Sequence, residues 1–203
     1  MPDHILERYP GWRPSECMDC RGDKKKSSKL GVGASGSKKR AKSLSASRIL
    51  STDEVLDMFK DGPMSGVFTD GSSVPNPGPG GWGAVYVVDN EIVETLAGAD
   101  PDTTNNRMEF TAIIAGIEIV PSGTSAVIYT DSRLAVQTLV EWAGGWEKRG
   151  WKRKSGPVEN LDLVKRAHYA FRNRPEISIQ WIAAHSGYRW NEYADALASG
   201  WRT

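Results

Sequence analysis

Four acidic residues occupy places where an acid needs a reason. Asp70 comes near the end of the β-type run Gly66-Val67-Phe68-Thr69, and Asp131 ends a second such run, Ser125 to Thr130. Glu109 lies in the first turn or two of a helical stretch, and Asp195 in the first turn or two of another. Each has a plain alternative. Asp70 suits a turn or a helix cap, Asp131 could cap the helix after it, and Glu109 and Asp195 suit the positive end of a helix dipole. Taken together they point elsewhere, because bunched carboxylates repel unless a hard cation neutralises them. Mg²⁺ prefers oxygen ligands and keeps several waters. Two such ions about 4 Å apart suit phosphodiester hydrolysis, one activating water and the other stabilising the leaving oxygen. His185 sits in a glycine-containing loop ten residues before Asp195. An imidazole there could move a proton to or from a departing oxygen, or simply bond the loop backbone.

The elements that must position these groups are legible in outline. Gly66 to Val88 reads as a strand, a turn crowded with Pro75, Pro77, Pro79, Gly78, Gly80 and Gly81, and a second strand. Glu91 to Ala99 reads as a third strand, and the short connections make strands 1 to 3 antiparallel. Thr103 to Asn106 offers caps for a helix through Val120, whose Phe110, Ile113, Ile114 and Ile117 recur at helical spacing. Ser132 to Trp142 and Asn160 to Phe171 read as helices, Glu176 to Ala183 as the last strand, and Asn191 onward as the final helix. A meander followed by helical crossovers implies a mixed sheet covered on both faces, so this is an α/β chain. If the strands that deliver Asp70 and Asp131 are parallel neighbours, both acids emerge at the same sheet edge, where open sheets tend to bind ligands.

The composition narrows the setting. The formal net charge is +1, but residues 1–65 carry 13 Lys/Arg against 9 Asp/Glu, and residues 66–203 carry 13 against 16. The basic excess therefore lies upstream of the catalytic candidates. Residues 1–20 form a short mixed segment in which Cys17 and Cys20, the only cysteines, have the spacing of half a zinc site. With no second pair and only His4 nearby, a full site would need carboxylates or a second chain. Residues 21–50 are a linker of Lys, Ser and Gly with little to bury, expected to be disordered. It serves either as a solvated tether or as a non-specific attraction for phosphate backbones. Residues 51–64 read as a short helix capped by Ser51 or Thr52 with Glu54 in the capping-box position, then a connector. The compact domain is expected over 65–203. Seven of the eight tryptophans fall there, as a folded domain implies. No apolar run approaches the roughly 18 residues of a membrane span. The opening lacks a basic-then-apolar leader, and two cysteines make no disulfide framework, so the cytoplasm is the expected compartment.

With these residues in view, the chain resembles bacterial-type ribonuclease H of type 1 over about residues 66–198. The resemblance is carried by Phe68-Thr69-Asp70-Gly71, Asn76-Pro77-Gly78-Pro79-Gly80-Gly81-Trp82-Gly83, Thr104-Asn105-Asn106-Arg107-Met108-Glu109, Tyr129-Thr130-Asp131-Ser132, and Asn191-Glu192 with Ala194-Asp195. It implies a three-layer fold with a five-stranded mixed sheet. It also implies Asp70, Glu109, Asp131 and Asp195 as ligands of two Mg²⁺ or Mn²⁺ ions, Glu192 as an auxiliary acid and His185 as a mobile loop histidine. The implied activity is cleavage of the RNA strand of RNA/DNA hybrids, leaving 5′-phosphate and 3′-hydroxyl ends; a monomer is expected, though the sequence itself does not reveal the oligomeric state. Asn76, Asn105 and Asn106 resemble groove-facing contacts, and Thr104 a phosphate contact on the DNA strand. Residues 145–160 look like the family's basic protrusion, offering Trp146, Lys148, Arg149, Trp151, Lys152, Arg153 and Lys154 to substrate; packing of the two tryptophans into the core is the other reading. Residues 1–65 fall outside the match, and Ala183-Ala184 supplies no lysine before the histidine loop, where relatives often have one.

Overall fold

A computed structural model describes residues 49–202 apart from Lys154. The expectations for the first segment, the linker and the cysteine pair lie outside the described residues. Helix α1 (Thr52–Met58) opens the described unit, with Ser51 as N-cap and the Ser51–Glu54 capping box formed in both directions. Then follow β1 (Gly66–Ser73), β2 (Gly78–Val88), β3 (Glu91–Thr103), α2 (Asn105–Glu118) and β4 (Ala126–Thr130). A helical stretch then runs as α3 (Arg133–Gln137), a π-helical turn (Thr138–Trp142) and α4 (Ala143–Lys148). A two-residue ribbon, β5 (Lys152–Arg153) with β6 (Gly156–Pro157), precedes α5 (Leu161–Arg172), β7 (Ile177–Trp181) and α6 (Arg189–Ser199).

The main sheet has five strands in the order β3-β2-β1-β4-β7. The meander β1–β2–β3 is antiparallel, while β4 pairs parallel with β1 and β7 parallel with β4. Helices α2 and α5 pack together over one face, and α6 with α1 covers the other. The result is the expected three-layer α/β arrangement. On the α6 side Phe68, Val85, Val87, Ile182, Trp190 and Tyr193 form one apolar cluster with Val55 of α1. Burying a side chain such as Val55 contributes roughly 1.5–3 kcal/mol.

Several boundaries differ from expectation. The compact unit begins at Ile49 rather than near 65, because α1 places Val55, 1% exposed, against the last helix. Strand β3 continues past Ala99 to Thr103, through Pro101. It is an edge strand, and its register with β2 shifts between Gly78 and Gly80, so the missing proline N–H breaks no regular ladder. The helix expected to end at Trp142 runs on through Gly144-Gly145, its register eased by the π turn. Among the described residues no helix is long and apolar enough to cross a membrane.

Candidate active site

Parallel pairing of β1 with β4 ends at Thr69 and Thr130, so Asp70 and Asp131 follow side by side where β4 stops; Asp70 is not near the end of its strand as expected, because β1 runs on to Ser73 against β2. Two glycines let the flanking helices bring in the other acids. A Cβ on Gly71 would sit 2.2 Å from the carbonyl carbon of Met108 and 2.3 Å from the amide nitrogen of Glu109. Only a residue without a side chain lets α2 approach this closely, and that approach carries Glu109 to the edge. Gly83, the direct β2 partner of Asp70, does the same for α6: a Cβ there would lie 2.4 Å from Leu197 Cβ and 2.9 Å from the Ala194 carbonyl oxygen. Asp195 is thereby brought within hydrogen-bonding reach of Asp70.

The plain alternatives for these acids lose their footing here. Ser132, not Asp131, caps α3 by accepting from the Ala135 N–H at 3.2 Å. Thr104 caps α2, leaving Glu109 in the second turn of that helix. Helix α6 starts at Arg189, two residues earlier than expected, so Asp195 is its seventh residue and lies beyond the first turn, where the dipole acts.

The electrostatics are those of crowded anions. Burial first, then the charges of Asp131 and Asp195, hold the Asp70 carboxyl well above its ordinary range, with the hydrogen bond to Asp195 adding to the effect. Burial likewise raises Asp131, with Asp195 and Glu192 adding and His185 opposing. Burial raises Glu109, the Asp131 charge adds to it, and the Ser132 hydroxyl bonded to Oε2 opposes it. His185, 63% exposed and at φ 47°, faces Glu192 at 3.9 Å and Asp195 at 4.0 Å through Nδ1. One ligand atom from each of these three residues lies within 4.8 Å of the other two. The loop holding His185 is tied back by the Gly187 N–H, which donates to Glu192 Oε1 at 3.0 Å. A set of carboxylate oxygens, three of them resisting ionisation, fits hard divalent cations such as Mg²⁺ or Mn²⁺.

Sequence reasoning missed two supports. Ser132 both caps α3 and bonds Glu109, and a serine after a strand-end aspartate was the available signal. Trp181 donates its indole N–H to the Asp131 carbonyl at 3.0 Å beneath the Arg133 guanidinium, 4.1 Å from the ring centroid. Nothing in the spacing announces that pairing, which depends on β4 and β7 being neighbours.

The other substrate candidates fall into two groups. Near the edge, Asn105 Oδ1 accepts from the Ser73 N–H at 2.6 Å, and the Asn105 N–H donates to Asn76 Oδ1 at 3.3 Å. These carboxamide oxygens are committed to scaffold. Thr104 accepts from the Arg107 N–H at 3.4 Å, and Asn106 lies half-buried in the first turn of α2. The described protrusion candidates run from Trp146 and Lys148 of α4 through Arg149 and Trp151 to Lys152 and Arg153 of β5. Lys148, Arg149 and Lys152 are exposed. Arg153 is paired with Glu159 at 3.0 Å, and Lys154 lies outside the described residues. Trp146 is half-buried against Trp142, and Trp151 half-buried against α5.

Comparison with known proteins follows the same outline. The family model for RNase H matches residues 64–201. The ribonuclease H of Alcanivorax borkumensis is 44% identical over 134 residues, covering 66% of this chain and 87% of that protein. LC9-RNase H1, a type 1 RNase H with the type 2 active-site motif, superposes with a TM-score of 0.55 at 33% identity, covering 70% of this chain and 74% of its own. LC11-RNase H1, solved in complex with an RNA/DNA hybrid, superposes with a TM-score of 0.51 at 21% identity, covering 66% and 93%; at that identity the likeness is one of fold. Because the matched residues take in all five strands of the main sheet and every acid at its edge, the chain belongs to the RNase H family.

Proposed function

We propose that this chain is an endoribonuclease that hydrolyses the RNA strand of RNA/DNA hybrids, leaving 5′-phosphate and 3′-hydroxyl ends. The observation that carries the reading is the convergence of Asp70, Glu109, Asp131 and Asp195 at one sheet edge, with three of the four held above the ordinary carboxylate range by burial and mutual repulsion. That arrangement is unfavourable by itself and favourable around cations. Asp70, Glu109, Asp131 and Asp195 would hold two Mg²⁺ ions, or Mn²⁺ in their place, with Glu192 as an auxiliary acid. Bound there, the ions supply an activated water and neutralise charge on the leaving oxygen.

The remaining work belongs to the chain. Partial burial of Asp70 and Glu109 strengthens the electrostatics around their carboxyls. The Ser132 hydroxyl fixes the rotamer of Glu109, and the Trp181 indole fixes the backbone that presents Asp131. His185, exposed and 4.0 Å from Asp195, is placed to hold a proton for the departing 3′ oxygen. With their oxygens engaged by the scaffold, Asn76 and Asn105 keep their amide N–H₂ groups as donors toward a minor groove, where Asn106 would join them; 2′-hydroxyls and base edges are the acceptors that distinguish RNA there. Thr104 would contact a DNA phosphate. Trp146, Lys148, Arg149, Trp151, Lys152 and Arg153, with Lys154 next in sequence, are proposed to grip the DNA strand. The test is a side-by-side assay of hybrid, duplex DNA and duplex RNA with Mg²⁺. Cleavage confined to the RNA of the hybrid supports the reading, and cleavage of duplex DNA at a comparable rate rejects it.

A further inference from the structure

Helix α5 buries a histidine. His168 is 6% exposed, on the face that also buries Val164, Ala167 and Phe171. Burying a polar ring there is unfavourable unless it is hydrogen-bonded. Its Nδ1 has no partner among the described residues, so Nε2 carries the polar contact alone. That contact, at 3.2 Å, is Glu147 Oε2, a residue of α4 at the root of the basic protrusion. Arg172, one turn further along α5, donates to both oxygens of the same carboxylate at 2.7 and 2.8 Å. Its partners hold the Glu147 carboxyl below its ordinary range, the His168 hydrogen bond first and the Arg172 guanidinium after it.

The same histidine supports the tip. Trp151 meets the rings of His168 and Tyr169 edge-on, at 5.7 and 6.0 Å between centroids, and the Lys165 ammonium lies 5.5 Å from the Trp151 ring. Trp151 holds φ at 63°, a costly conformation for a bulky side chain that persists only where the surroundings enforce it. Its own N–H donates to the Trp146 carbonyl at 2.7 Å, so the strained turn closes directly onto the end of α4. Lys148, Arg149 and Lys152 project around this turn, with Glu147 beside them in sequence. Unless drawn back toward α5, the Glu147 carboxylate would stand among the cations that meet phosphate.

We propose that His168 is a positioning residue for nucleic-acid binding: by bonding Glu147 and bracing Trp151 it fixes the protrusion and withdraws an anion from its phosphate-facing surface. The proposal rests on the hybrid-cleaving reading above. It assigns His168 to affinity and not to the chemical step.

The test compares wild type, His168→Leu, which keeps much of the volume and loses the donor, and His168→Gln, whose amide can still donate to Glu147. Equilibrium binding of a fluorescent hybrid without divalent metal is measured across a salt series, alongside kcat at saturating hybrid with Mg²⁺. Because Arg172 still holds Glu147 when His168 is replaced, only part of the worth of a hydrogen bond to a charged group is lost, and His168→Leu is expected to weaken binding about five- to tenfold. The salt dependence should become shallower, and kcat should stay within about twofold. His168→Gln should bind like wild type. The proposal is overturned if His168→Leu binds normally, if its kcat falls without loss of affinity, if His168→Gln is as impaired as His168→Leu, or if both variants melt below the assay temperature, which would make the residue part of the core only. Failure of wild type to cleave any hybrid would instead refute the activity, and the affinity comparison would still judge His168.

Discussion

Asp70 stands at the crowded centre of the site, and its raised proton affinity has a thermodynamic consequence. A carboxyl with a raised folded-state pKa binds its proton more tightly folded than unfolded. Its contribution to stability is therefore fully present below the ordinary carboxylate range, about pH 4, and is lost as pH rises through the raised folded values. Asp70, Asp131 and Glu109 all act in this direction. Metal-free protein should thus be less stable at pH 8 than at pH 5.5, and Asp70→Asn should raise its melting midpoint at pH 8. The same change should lower hybrid cleavage by about a thousandfold or more, since cation-borne charge stabilisation is worth several kcal/mol. Calorimetry and a cleavage assay on one preparation check both halves; a variant that melts lower at pH 8, or cleaves at the wild-type rate, contradicts this role for Asp70. The places of the acids were legible in outline, Asp131 after a strand and Glu109 and Asp195 within the first two turns of helices. Their supports were not, because the Ser132 bond to Glu109 and the Trp181 bond to Asp131 join residues 23 and 50 positions apart.

At the scale of elements, the site is assembled by close approach. Gly71 lets α2 touch β1, and Gly83 lets α6 touch β2. Gly71→Ala places a methyl against backbone, which cannot give way as a flexible side chain can. The expected loss is about 2–3 kcal/mol, near the upper end of overpacking costs, with a fall in kcat as Glu109 is displaced. Gly144, in α4, has nothing within 4 Å of its Cβ position, so Gly144→Ala should be neutral or stabilising by up to about 1 kcal/mol. Chemical denaturation of the two variants measures the contrast, and equal stabilities would show that the helix does not depend on Gly71 for its seat. Helices and strands with strong local signals were readable, as the Ser51–Glu54 capping box shows. What escaped were boundaries set by tertiary context. Pro101 is tolerated because β3 is an edge strand, and Gly144-Gly145 stays helical because Ala143 and Leu139 are buried beneath it. Propensity alone reads both as stops.

Across the whole molecule, the described unit is larger than the charge pattern suggested. Val55 of α1 joins Trp190 and Tyr193 of α6, so the upstream helix steadies the element that carries Asp195. Truncation should therefore split by position. Removing residues 1–48 takes away 12 Lys/Arg and leaves α1 in place. It should leave the melting midpoint unchanged while weakening hybrid binding and flattening its salt dependence, since fewer phosphates are neutralised. Removing residues 1–60 should also cost about 2–4 kcal/mol of stability through the bared apolar face. Identical melting of the two truncated proteins would contradict the packing argument, and an unchanged salt slope would remove the basic segment from substrate binding. Among all these readings the central one is a cation-dependent cleavage centre built from Asp70, Glu109, Asp131 and Asp195. The most direct measurement is the cleavage of an RNA/DNA hybrid labelled on either strand, with Mg²⁺ and with excess chelator. The account predicts fragments of the RNA strand alone, ending in 3′-hydroxyl and beginning with 5′-phosphate, and none with chelator; cleavage that survives chelation, or a hybrid left intact with Mg²⁺ and with Mn²⁺, would contradict it.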